Sequence, residues 1–125
     1  MNFKNFTIIA QEALNRASEL AASNEQQVVD TAHMLSANIQ VEENVSSFLL
    51  QKLEIDKSSF NKKIEDIIES YPKASGGNPY LSNDLGAALQ NADKISKSFK
   101  DQYVTIEHIL IALSDAKHST ASLMK

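Results

Sequence analysis

Residues 6–50 can be laid over residues 81–125 at a constant offset of 75, with no gap and ten identical pairs. The identities include Ala13/Ala88, Leu14/Leu89, Ala17/Ala92, Gln27/Gln102, Val29/Val104, His33/His108 and Leu35/Leu110. Other pairs keep their character, among them Phe6/Leu81, Thr7/Ser82, Leu20/Ile95 and Met34/Ile109. A chain that repeats itself this way is a duplicated supersecondary unit, and its two copies must bury their apolar faces against each other. The duplication predicts an all-α domain of two helical units related by a pseudo-twofold axis.

Each unit reads as helices joined by short polar connections. Thr7 fits a helix N-cap, and Ile9, Ala13, Ala17, Leu20 and Ala21 recur about one turn apart, which predicts a helix over 7–22. Val28-Val29 is a short extended lead-in, and Asp30 caps a second helix that buries Met34, Leu35 and Ile39. Asn44 opens a third helix with Val45, Phe48, Leu49 and Leu53 inward. Asp56 caps a fourth, with Phe60, Ile64, Ile67, Ile68 and Tyr71 inward, and Pro72 stops it because proline lacks the backbone donor.

The breakers Gly76, Gly77 and Pro79 mark residues 72–80 as a linker between repeat one (1–71) and repeat two (81–125). Ser82 then caps a helix to about Phe99 with a stripe of Leu85, Ala88, Leu89, Ala92, Ile95 and Phe99. Tyr103-Val104 repeats the extended lead-in, and Thr105 caps the helix of Ile106, Ile109, Leu110 and Leu113. Thr120 to Lys125 begins the counterpart of the third helix, and no segment matches the fourth. The second repeat is thus truncated, and the chain reads as a fragment of a longer polypeptide.

Composition excludes several functions. There is no cysteine, so neither a disulfide frame nor a thiolate metal site is available. No apolar run reaches the 18 residues of a membrane span, and the N-terminus lacks a signal-peptide core. The net charge of −4 and the scattered lysines argue against nucleic acid as a partner. Gly76-Gly77 is followed by no Gly-Lys-Ser/Thr, so no phosphate-cradling loop exists, and no nucleophile-elbow context surrounds a serine. No catalytic, cofactor or metal site is expected. His33 and His108 stand three residues after their caps and read as partly buried histidines bonded to a helix start or a neighbouring loop. Glu65-Asp66 and Glu42-Glu43 point about 100° apart on a helix and read as solvated faces. Phe3 and Phe6 either cover the end of the bundle or line a groove.

Three segments carry a resemblance: Phe6-Thr7 before an alanine-rich helix, Thr105-Ile-Glu-His-Ile-Leu-Ile-Ala-Leu113, and its echo Asp30-Thr-Ala-His-Met-Leu-Ser-Ala37. They resemble the paired Clp repeats of the N-terminal domain of Clp ATPases, over essentially the whole chain. Tyr71-Pro72-Lys73-Ala74-Ser75-Gly76 is most similar to the linker of the ClpB-type disaggregase branch. Ala32, which stands where Glu107 stands in the second half, also departs from the protease-associated ClpC pattern.

The resemblance implies a cytoplasmic, monomeric domain tethered to tandem AAA+ modules. In the parent those modules form a homohexamer and use ATP and magnesium. It implies that the domain, not itself an enzyme, engages unfolded or aggregated polypeptides for disaggregation in the stress response. The alternative it leaves is a ClpC/ClpA-type domain docking an adaptor protein. By residue it implies substrate contacts at Thr7, Ile95, Asp101 and Glu107, with the family's further apolar groove positions falling on the polar Asn91 and His108.

Overall fold

The computed structural model describes residues 3–74 and 77–115, without the side chain of Val45. The expectations for a helix from Thr120, for His118 and for Ser75-Gly76 lie outside the described residues. In chain order the elements are α1 (Ile8–Ser23), β1 (Val28–Val29), α2 (Thr31–Val41), α3 (Glu43–Lys52), α4 (Lys57–Ser70), β2 (Tyr80–Leu81), α5 (Asn83–Ser98) and α6 (Ile106–Asp115). The described residues are therefore overwhelmingly helical, as the duplication predicts.

Small side chains decide how the helices pack. α1 buries Ala10, Ala13, Ala17 and Ala21 completely, and α5 buries Leu85, Ala88, Ala92 and Ser96 at the matching places. With mostly alanine and serine on these stripes, α1 lies closely on α2 and α5 on α6. The buried face of α1 corrects the sequence reading: Ala10 is inside, and Ile9 faces outward. At the far end of α5, Phe99 also turns outward and does not extend the stripe.

The two units meet by reciprocal exchange of backbone pairs. Val29 pairs in parallel with Leu81, and Phe6 forms a parallel bridge with Val104. Val29 and Val104 are repeat counterparts, as are Phe6 and Leu81, so each unit offers the same two positions to the other. The hydrogen bonds match: the Thr7 N–H donates to the Val104 carbonyl at 2.9 Å, and the Ser82 N–H to the Val29 carbonyl at 2.9 Å. Such self-complementary pairing is what a twofold operator produces. The caps match too, the Thr7 hydroxyl accepting from the Ala10 N–H and the Ser82 hydroxyl from the Leu85 N–H. Phe6 is buried between the units with Phe3 edge-on to it at 5.1 Å, so this pair covers the end of the bundle.

The segment around Pro79 is tied to the first unit. The Tyr80 N–H donates to the Gln27 carbonyl at 3.1 Å and the Ala74 N–H to the Glu25 carbonyl at 3.0 Å.

α1 and α5 also end alike. The Gln26 N–H donates to Ala21 and the Glu25 N–H to Ala22, while Asp101 donates to Ser96 and Lys100 to Lys97. Both are Schellman closures, which place the residue after the cap in the left-handed region. Glu25 has φ 57° and Lys100 φ 59°, conformations that favour glycine. Lys100→Gly is therefore expected to stabilise the fold by about 0.5–1 kcal/mol, read as a higher urea midpoint at unchanged slope.

α3 departs most from the sequence reading. Leu50 is its buried leucine, whereas Phe48, Leu49 and Leu53 are exposed. Fewer than three turns packed between α2 and α4 offer only a narrow contact, and the remaining apolar residues face out. Together with Leu110 and Ile111 of α6, α3 walls an apolar groove of about 280 Å³.

Candidate functional site

The counterparts His33 and His108 organise the start of the second helix in each unit. Nδ1 of His33 accepts the Asp30 N–H at 2.9 Å, and Nδ1 of His108 accepts the Thr105 N–H at 2.9 Å. With Nδ1 accepting, each ring carries its hydrogen on Nε2 and donates there. His33 donates to the Gln26 amide oxygen at 2.6 Å; His108 donates to the Asp101 carboxylate at 2.9 Å. Gln26 and Asp101 are themselves counterparts, so one constellation is built twice with different chemistry. Burial pushes the pKa of His33 below the ordinary imidazole value, with Asp30 opposing the shift.

What covers the two constellations differs. In the first unit the C-terminal end of α4 closes it. The Tyr71 hydroxyl accepts the Ala32 N–H at 3.2 Å, its ring lies 5.2 Å from that of His33, and the Gln26 amide donates to the Ile68 carbonyl at 2.6 Å. Gln26, Thr31, Ala32 and His33 are all buried as a result.

In the second unit no described element takes the place of α4. The ring of His108 is covered instead by Phe99, 6.0 Å away. The rest opens as a shallow depression of about 480 Å³, lined by Thr7, Asp101, Glu107, Phe99, Tyr103 and Ile111 together with Gln102, Thr105 and His108.

The side chains change with the cover. Phe99, Tyr103 and Ile111 replace Asn24, Val28 and Ser36 of the first unit, and are 60%, 49% and 40% exposed. Asp101 and Glu107 replace Gln26 and Ala32. Apolar and acidic groups thus stand together here, with no lysine or arginine among the described lining residues. Such a surface can bury apolar side chains shallowly and pair with a cation at its edge.

Of the four residues expected to touch substrate, Thr7, Asp101 and Glu107 come together around this depression, from the α1 cap, the α5–α6 loop and the first turn of α6. Ile95 does not line it; the residue is half-buried and packs against the core. Sequence reasoning placed Phe99 in the core stripe and gave no role to Tyr103 or Ile111. Their exchange for Asn24, Val28 and Ser36 across the duplication was the available signal.

The model of the Clp repeat (R) N-terminal domain matches residues 5–125. The chain belongs to the Clp repeat N-terminal domain family. It is 42% identical over 125 residues to the chaperone protein ClpB of Bacteroides thetaiotaomicron, covering 100% of this chain and 14% of that relative. The chain therefore spans about a seventh of the length of the curated ClpB relatives. Among solved structures it is similar to the Hsp104 N-terminal domain of Candida albicans, with a TM-score of 0.86 and 25% identity over 97% of this chain and 80% of that one. A ClpV N-domain solved with a VipB peptide has a TM-score of 0.77 at 16% identity, covering 98% and 78% of the two chains. At that identity the likeness speaks to the Clp fold alone. Among the described residues no helix is long and apolar enough to cross a membrane.

Proposed function

We propose that this chain is the substrate-engaging N-terminal domain of a cytoplasmic ClpB-type chaperone. It is not itself an enzyme; ATP hydrolysis and magnesium binding belong to ring-forming modules of a homohexameric parent. In this reading the depression holds exposed apolar segments of unfolded or aggregated polypeptides and passes them toward the ring. One observation carries it: Thr7, Asp101 and Glu107 stand with Phe99, Tyr103 and Ile111 around one acidic, aromatic depression. The likeness to ClpB chaperones along the whole chain supports it.

The energetics suit a loader. Burying a few hundred Å² of apolar surface at roughly 25 cal/mol per Å² yields several kcal/mol, most of it offset by ordering the client. Binding is then weak and quickly reversed, and six copies on a ring raise avidity without tighter contacts. The carboxylates of Asp101 and Glu107 favour segments that place lysine or arginine beside an apolar residue.

Titration of a fluorescently labelled, permanently denatured protein with this chain tests the reading. Micromolar or weaker binding is expected, weakened about tenfold or more by Phe99→Asp, whose side chain is exposed enough to leave the fold intact. Equal affinity for wild type and Phe99→Asp would remove the depression as the binding site.

A further inference from the structure

The depression does not end at its own rim. Ile111 lines it on one side and lines the α3–α6 groove on the other, so the two form one continuous surface across α6. We infer that the groove is a second subsite for the same client, taking an apolar cluster a few residues away from the one held in the depression. This rests on the depression being the binding site.

The chemistry of the two parts is complementary. The depression mixes carboxylates with aromatic rings, whereas the groove is walled almost wholly by aliphatic side chains, with Ser46 and Ser114 as its hydroxyl groups. Its outer wall is Leu49 of α3 and the cap residue Leu53, the latter 67% exposed, although Leu50 alone supplies the buried leucine of that helix. Thr105 and Ser114 mark the far edges along α6. Their nine-residue separation corresponds to about 14 Å of helix. An extended strand advancing about 3.3 Å per residue covers that length in about four residues. The client is thus an unfolded segment with a basic-aromatic pair, followed about four residues on by an aliphatic pair.

Two labelled peptides decide it by fluorescence anisotropy. One has about four residues and carries only the basic-aromatic pair; the other has about ten and adds the aliphatic pair. The longer peptide is expected to bind about tenfold more tightly. Leu53→Asp and, separately, Leu49→Asp should abolish that gain and leave the short peptide's affinity unchanged, with circular dichroism confirming the fold.

Equal affinity of the two peptides, or a gain that survives both substitutions, overturns the inference while leaving the depression in place. Absence of binding by the short peptide overturns the functional reading itself. Two other occupants are excluded by the same material. Sedimentation showing a dimer that Leu53→Asp dissociates would assign the groove to a second copy. Tighter long-peptide binding by Leu123→Asp would assign it to the chain's own last residues.

Discussion

His33→Ala is expected to cost about 4 kcal/mol, a large share of the stability of a domain this size. The imidazole is fully buried and serves two polar groups at once, the Asp30 N–H and the Gln26 amide oxygen. Alanine leaves both without a partner in a site closed by Tyr71, at about 1–3 kcal/mol each, and leaves a void besides. The matching His108→Ala should cost about half as much. Its Nε2 partner Asp101 is half-exposed, and water can replace the lost hydrogen bond there. Urea denaturation of the two variants measures the difference, and equal losses would show that the α4 lid contributes nothing.

Acid should act through the same group. The pKa of His33 is below its unfolded value, so the unfolded chain binds more protons as pH falls under about 6.5. Its contribution is present above that pH and is lost on acidification through the folded pKa. Protonation also places a hydrogen on Nδ1, where the Asp30 N–H already points. Midpoints measured downward from neutral pH should fall more steeply for wild type than for His33→Ala. Parallel curves would contradict this.

The second large effect separates two leucines that the duplication treats as the same. Leu89→Ala is expected to cost about 3 kcal/mol, because Leu89 is fully buried in α5. Its counterpart Leu14 is half-buried on α1, beside Phe3 and Leu81, and Leu14→Ala should cost about 1 kcal/mol. Thermal or urea unfolding of both variants checks it; losses within a few tenths of a kcal/mol of one another would refute the asymmetry.

Most of the helices were legible from caps and periodicity. Thr7, Asp30, Asp56 and Ser82 all accept from backbone N–H groups at helix starts, and short polar side chains there have few other partners. The faces of α1 and α3 were less legible. In α1 both Ile9 and Ala10 fit a helical stripe, and close helix contact selects the smaller residue. In α3 nearly every turn carries an apolar residue, so periodicity does not say which of Phe48, Leu49 and Leu50 faces in. Three of the four residues that the resemblance implied, Thr7, Asp101 and Glu107, stand around one depression. Phe99, Tyr103 and Ile111 beside them could not be picked out from the sequence, since an aromatic or aliphatic residue at helical spacing reads first as core.

The duplication by itself determined that two like helical units would meet about a twofold axis, because identical apolar faces are satisfied only by each other. Local chemistry determined where the helices start and stop. Only the tertiary structure decided how the histidine constellation of the first unit is closed. The decision rests on α4, whose Tyr71 and Ile68 reach back over Ala32 and Gln26 in one unit. Over Glu107 and Asp101 in the other, no described element does so. Burial is a property of what lies opposite a residue, and sequence spacing along one helix carries no record of that.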